Sequence, residues 1–364
     1  MLTFDDDLWN ALRSHQTGFT TAVASYQEVT AEVRAESGQI NFNGAQEIQS
    51  SGSAVVSGSA PSMVPQSRTD MLAPTGQELA LFRTIKIGRG SWSVPLGVYR
   101  LTRASDGREQ RRAGRTLNWS LALEFSDRFK QIRDNDFLAP EGPVSGNTVW
   151  QEVQRLARVP VQQALGDAAV PPGTVYESRL EAITVLMSLL GGVPHVTRAG
   201  VLTARPADRW LTETEADVVI EGVIRYQTEM TDDFYNQVQV KSSNDPSIVA
   251  YASISDDSNP LSVNRAGGRT FRQASPIYTT QAQAQAAANT ILKRVSSRQA
   301  RTVQVECTPE ALLLELGDVA LFQDPVKGKQ VLGEVVTLTA PISPTAVIPV
   351  GVIVAEELDY TPEG

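Results

Sequence analysis

With a single cysteine, Cys307, among its 364 residues, the chain has no intrachain disulfide framework to hold its fold. Cys307 lies on the apolar phase of an alternating run, the place of a packed thiol rather than a nucleophile. Histidine is almost as scarce, and neither His15 nor His195 sits in a metal-ligand or nucleophile context. A Ser-His-Asp triad needs only one histidine, yet no G-x-S-x-G elbow marks a serine. The P-loop and H-E-x-x-H patterns are missing as well, and Gly88-Arg89-Gly90 is too short for a dinucleotide fingerprint. No apolar run approaches the roughly 20 residues that span a bilayer. The opening MLTFDDDLWNALRSHQ is acidic, without the basic start and apolar centre of a signal peptide, so the expectation is synthesis and folding in a reducing cytoplasm.

What is present is globular: 41% hydrophobic and 20% charged residues, over a length that suggests about two to four domains. The net charge of −9 argues against a general nucleic-acid binder, because duplex binding rests on neutralising phosphates. An acidic surface repels DNA.

Along the chain, Asp5, Asp6 and Asp7 precede Leu8, Trp9, Ala11 and Leu12, placing carboxylates at the positive end of a short amphipathic helix within 1–16. Alternation then predicts strands through 21–33, 79–87, 91–101 and 116–125, a first β-domain over 17–127. Residues 50–78 are rich in Ser, Gly and Pro and read as a long loop or as short strands with loose connections. Arg100, Arg103, Arg108, Arg111, Arg112 and Arg115 crowd into sixteen residues of one hairpin, which faces DNA, an acidic partner or neighbouring subunit, or solvent. No aromatic interleaving for base stacking accompanies them. A polar link after Phe125 opens a small α/β domain over 128–210, with helices at 148–157 and 179–190 and a hairpin turning at Arg198-Ala199-Gly200.

From 211 to 364 the pattern is mainly strands (218–227, 235–242, 248–254, 301–307, 319–322, 330–338 and 347–358), interrupted by a helix at 280–296. The apolar stripe of that helix is Ala284, Ala287, Ala288, Ile291, Leu292 and Val295, with Thr280 and Gln283 as N-cap and capping-box partner. Gln281, Gln285, Asn289, Lys293 and Arg294 form its water face, and the strand carrying Val303, Val305 and Cys307 is the expected bed. Gly317-Asp318 reads as a turn into the strand opened by Val319, Leu321 and Phe322.

Catalytic or metal chemistry finds little support. Acidic pairs occur at Asp232-Asp233, Asp256-Asp257 and Glu356-Glu357, and a glycosidase needs two carboxylates across a cleft. Asp256-Asp257-Ser258-Asn259 offers oxygen ligands for calcium but lacks the EF-hand spacing, so it reads as a polar loop. Trp92, Trp119 and Trp210 motivate a carbohydrate-binding or glycan-cleaving alternative; Trp119, within LNWSLALEF, fits packing better.

In order and context, YNQVQVKSSN (235–244), AQAAANTILKR (284–294) and Leu316-Gly317-Asp318-Val319 resemble the tail-hub, or minor tail, proteins of long-tailed bacteriophages. ESRLEAITVLMSLLGGVPHVTRAGVLTARP (177–206) fits the same family. The resemblance rests structurally on Tyr235, Asn236, Val238, Ala284, Ala288, Leu292, Gly317, Asp318 and Val319. It implies a mainly β chain with an α+β insertion: two tail-tube-type β-barrels, over 17–127 and 211–364, with the small α/β domain between them. It further implies a homotrimeric ring of pseudo-sixfold symmetry, stacked on a hexameric tube or distal tail ring at the tail tip and assembled in the host cytoplasm. Tip fibres and the tape measure are the other implied partners, and phage DNA passes transiently through the ring. No catalytic residue, cofactor or metal is implied. The Ser/Gly-rich stretch departs from the pattern by interrupting the first barrel, and no lytic domain is expected after Tyr360. A distal tail protein, hexameric with one barrel, is the structural alternative.

Overall fold

The computed structural model describes residues 2, 6–14, 17–171, 174–226, 234–275, 278–297, 302–344 and 347–359. His15, Asp5 and the pair Asp232-Asp233 lie outside the described residues. The protein is mainly β, organised around a large sheet. Helix α1 (Asp6–Arg13) buries Leu8, Ala11 and Leu12, and its first turn carries Asp6 and Asp7.

Six strands follow: β1 (Thr17–Tyr26), β2 (Val29–Asn43), β3 (Ser50–Ser59), β4 (Glu78–Ile87), β5 (Gly90–Arg112) and β6 (Arg115–Ser126). Their order is β1-β4-β5-β6-β3-β2, and β1 also pairs with β2, so the ladder returns to its first strand. Strand β4 shows why: in ELALFRTIKI every second side chain, Leu79, Leu81, Arg83 and Ile85, is buried. Ser50–Ser59, expected as part of a long loop or as short, loosely connected strands, is a full strand between β2 and β6. Its small residues are what the neighbour requires. Gly52 and Gly58 stand opposite Phe125 and Trp119 in the register, and a Cβ at either would meet those rings at 2.8 Å. The first ladder is therefore continuous, and the irregular connection is confined to 60–77, where Leu72 and Ala73 are buried.

Next come α2 (Arg128–Asp134), α3 (Val149–Ala157), α4 (Arg179–Leu189) and the hairpin β7 (Gly192–Val196) with β8 (Leu202–Pro206). The link after Phe125 thus contains a helix that apolar periodicity does not announce. Asp127 caps it, accepting from Phe129 N at 3.0 Å, and Phe129 and Ile132 enter a separate core with Trp150, Val153, Ile183 and Leu186.

After β9 (Val218–Tyr226) the chain leaves the large sheet. It forms β10 (Gln237–Ser242), β11 (Val249–Ser253), α5 (Val263–Ala266), β12 (Thr270–Ser275) and α6 (Gln281–Ser297), and then returns in β13 (Thr302–Cys307), β14 (Val319–Asp324), β15 (Lys329–Pro341) and β16 (Ile348–Asp359). The bed of α6 is the small sheet β11-β10-β12 rather than Val303–Cys307: Ala284, Ala288 and Ile291 pack with Val238, Val240 and Ala250 in a third core. The alternation in 302–307 serves a different contact, since Val303, Val305 and Cys307 point into the main core between β9 and β16.

Strands β15-β14-β9-β13-β16 form a second ladder that closes through β15–β16, with β14 and β9 parallel. Residues 337–341 of β15 pair antiparallel with 39–43 of β2 and join the two closed ladders edge to edge. One continuous apolar core, from Leu81 and Leu123 to Val305 and Val350, serves both.

Candidate functional site

The segment 315–319 is built from backbone outward. Gly317 has φ +87°, the left-handed region that disfavours a side chain. Its N–H donates to Val335 O at 2.8 Å, and Val335 N–H donates to Asp318 O at 2.8 Å, so the turn is clamped onto β15. Asp318 is buried, with Oδ2 accepting from Glu315 N at 2.6 Å; burial raises its carboxyl. Val319 N–H donates to Asp217 Oδ2 at 3.0 Å, and Arg209 grips both Asp217 oxygens at 2.9 and 3.1 Å.

The β7–β8 hairpin reaches the same turn with three basic side chains. Arg205 Nη1 donates to Glu334 Oε1 at 2.9 Å, and its guanidinium lies so close that a Cβ on Gly317 would sit 2.3 Å from Nη1. Arg198 is buried and is answered by main-chain oxygens: Leu312 O at 2.6 Å, Pro95 O at 3.2 Å, and Leu314 O. His195 Nε2 stands 3.9 Å from Glu315 Oε1. Burial would raise the Glu315 carboxyl, but the neighbouring His195 ring and the charge of Arg198 overcome it and hold the group at about 2.

A second buried guanidinium joins the closed ladders elsewhere. Arg83, on β4, donates to Thr20 Oγ1 at 2.9 Å, to Ile342 O at 2.9 Å and to Pro341 O at the end of β15. Its desolvation pulls the group down to about 10. Neither Arg83 nor Arg198 stood out from the sequence. The available signal was an arginine on the inward phase of ELALFRTIKI and another at a hairpin turn.

The other resemblance positions gather around α6. Asn236 is fully buried and donates to Leu261 O at 2.9 Å and Gly267 O at 2.8 Å while accepting from Arg269 N, pinning the loop between β11 and β12. Tyr235 sets its ring 5.5 Å from that of Phe271. Val238, Ala284 and Ala288 are buried in the third core, with Leu292 packed against it. Gln281 and Gln285, expected to face water, donate to Val249 O at 2.8 Å and Tyr251 O at 2.9 Å along the edge of β11. The α6 group and the Gly317 turn are separate places in the fold. They are linked through Arg294, whose Nη2 lies 2.8 Å from Asp208 Oδ2, next to the Arg209 that holds Asp217.

Little in this arrangement is suited to bond-making chemistry. Trp119 and Trp210 are buried and Trp92 packs partly on the main core, so these tryptophans present no stacking platform. Trp119 Nε1 donates to Ser59 O at 2.9 Å. Asp256 accepts from its own neighbour Ser258, and Asp257 accepts from Ser262 and Asn264, as a polar loop does. Glu356 and Glu357 stand opposite Leu332 and Val331 in the β15–β16 register. No group of acidic, His or Cys residues suited to a metal occurs among the described residues. No described helix is long and apolar enough to cross a membrane. Burial pushes the Cys307 thiol up, as expected of a packed rather than a reactive sulfur. In the arginine-rich hairpin, Arg103 pairs with Glu124 and Arg111 with Glu109, whereas Arg108, Arg112 and Arg115 are exposed with no ion pair among the described residues.

Residues 179–338, which include the hairpin, α6 and the Gly317 turn, match the family described as putative phage tail protein. Over this stretch the chain is similar to a phage tail protein family. No curated protein matches the sequence. The tail-protein likeness extends further in three dimensions. A tail protein from Neisseria meningitidis MC58 superposes with TM-score 0.54 at 14% identity, covering 93% of this chain and 98% of the other. The 43 kDa tail protein of prophage MuSo2 from Shewanella oneidensis gives 0.55 at 11% identity, covering 92% and 98%. Prophage tail protein gp18 from Listeria monocytogenes gives 0.50 at 12%, covering 92% and 94%. At these identities the likeness is one of fold.

Proposed function

We propose that the chain is a phage tail protein of the hub, or minor tail, type, a non-enzymatic ring component that joins the tail tube to the tip and lines the DNA conduit. The observation that supports this reading is the pair of closed ladders in one chain, joined by β2 and β15. Read as two tail-tube-type barrels, they let three copies offer six similar units to a hexameric ring, with few open strand edges. A distal tail protein with one barrel per chain accounts for only one of the ladders. The partners on this reading are two further copies of the chain, the tube or distal tail ring, tip fibres and the tape measure. The place is the virion tail tip, after assembly in the host cytoplasm. Phage DNA passes through, and a net charge of −9 favours passage over retention.

Light scattering on purified protein, with negative-stain images of the same fractions, tests this. Threefold rings with a central hole are expected. Sixfold rings overturn the reading in favour of the distal tail protein, and cleavage of cell-wall material by the purified chain overturns the non-enzymatic role.

A further inference from the structure

A cleft of about 510 Å³ opens between the first closed ladder and the helical segment. Its walls come from three places: the β1–β2 turn with Tyr26 and Gln27, Arg100 on β5, and Arg128, Gln131 and Arg158 around α2 and the end of α3.

Its charges are unevenly satisfied. Arg128 is paired, with Glu78 accepting at 2.9 and 2.7 Å and Gly200 O at 2.6 Å. Glu78 stands directly opposite Arg100 in the β4–β5 register, but both its oxygens are engaged by Arg128. Arg100 consequently has no ion pair among the described residues. Arg158 is exposed and meets only a neutral acceptor, Asn135 Oδ1 at 3.3 Å. The opposing carboxylate on the lip is Glu28.

Two chain reversals shape the rim. Six non-glycine residues among those described have positive φ, and three of them line this cleft: Gln27 at +48°, Glu28 at +68° and Arg158 at +52°. Gln27 and Glu28 are the two central residues of the tight turn that pairs Tyr26 with Val29, and Arg158 is the left-handed cap that ends α3. Both reversals border the same cleft.

We propose that the cleft docks a carboxylate-bearing peptide segment of another tail component, gripped by Arg100 and Arg158. Guanidinium forks match carboxylates two bonds at a time. The amides of Gln27 and Gln131 and the Tyr26 hydroxyl suit the main chain of such a segment. Nucleic acid fits less well: phosphate binding accumulates over many cations, and this cleft has two available against Glu28. That the partner is a tail component rests on the function proposed above, whereas carboxylate binding by the cleft holds whatever ring the chain forms and is tested without it.

The test is fluorescence anisotropy of a labelled oligo-glutamate peptide titrated with the full chain, with oligo-lysine and a single-stranded oligonucleotide as comparison probes. Saturable oligo-glutamate binding is expected, at least tenfold weaker in the double variant Arg100→Gln, Arg158→Gln. It stays unchanged in Arg112→Gln, Arg115→Gln, which removes the same charge from the hairpin tip. The pair Arg100→Lys, Arg158→Lys keeps the charge, recovers part of the affinity, and carries the comparison if the glutamine pair unfolds on a thermal melt. Absence of saturable binding, or equal loss from both glutamine pairs, overturns the proposal. So does tighter binding of the oligonucleotide with the same dependence on Arg100 and Arg158.

Discussion

Arg205 donates to Glu334 at 2.9 Å between the β7–β8 hairpin and β15, with both side chains largely withdrawn from water. Removing one member of such a pair strands a buried charge, whereas removing both relieves it. Arg205→Met is expected to destabilise the chain by about 3–5 kcal/mol, and adding Glu334→Leu to restore most of that. The restoration stays incomplete because Glu334 Oε2 also accepts from Trp210 N at 3.2 Å. Urea denaturation of the two single variants and the double variant checks it; additive losses would mean the pair is not coupled.

Glu315 predicts an acid limb. A carboxyl held at about 2 in the fold, against 4.5 ordinarily, contributes stability that is complete above its ordinary value and disappears as pH falls from about 4.5 to about 2. The difference corresponds to roughly 3 kcal/mol. Asp318 and Glu334, both raised by burial, act in the opposite sense, so variants must be compared with the parent chain. Glu315→Gln is expected to flatten the loss of stability between pH 4.5 and pH 2, and an unchanged slope in thermal melts would refute the role.

Gly317→Ala tests the turn itself. The substitution meets a backbone at φ +87° and a guanidinium 2.3 Å from the new Cβ, one that cannot retreat without releasing Glu334. A loss of about 1–3 kcal/mol is expected. The same substitution in Arg205→Met should be milder, since the obstruction has gone, and calorimetric Tm values of the four proteins give the answer.

Much of this was legible in the residues, and where it was not the reason is physical. Strong period-two alternation placed β4 and β13, helical periodicity placed α3 and α4, and capping with an apolar stripe placed α6. Ser50–Ser59 read as a loop or as short, loosely connected strands because its small residues answer the bulk of Phe125 and Trp119 on the neighbouring strand, a relationship that exists only once the register is set. The bed of α6 was misassigned for a related reason. Val303, Val305 and Cys307 offer the same alternation as Val238 and Val240, and periodicity does not say which sheet a helix chooses. The Gly317-Asp318 turn was readable from its glycine, but Arg205, Arg198 and Arg83 arrive there and at the ladder junction from distant positions.

Packing of α6 on its sheet depends on small side chains. Ala284 and Ala288 are fully buried against Val238, Val240 and Ala250, which sets how near the helix lies. Ala288→Leu forces extra volume into that contact and is expected to cost about 1–3 kcal/mol. Ala286→Leu, on the exposed face of the same helix, should be within about 0.5 kcal/mol of the parent. Equal effects would show that α6 does not use this face.

The amide side chains of α6 carry the final prediction. Gln281 and Gln285 are one helical turn apart, and Val249 and Tyr251 are two residues apart on an edge strand, so their outward carbonyls fall within reach of successive amides. The helix thereby occupies acceptors that another strand would otherwise find, a way of closing an edge without a further strand. Gln281→Ala, Gln285→Ala leaves the apolar stripe intact, so the fold and the third core should persist with a loss of about 1–2 kcal/mol for the two bonds. The exposed carbonyls, next to a Tyr251 ring that is 64% exposed, then favour edge-to-edge pairing. Sedimentation velocity across a concentration series is expected to show association of the double variant beyond that of the parent chain. Gln283→Ala, which removes an amide from the first turn but touches no β11 carbonyl, should sediment as the parent does. If the double variant also behaves as the parent, Gln281 and Gln285 are surface residues whose bonds to β11 guard nothing.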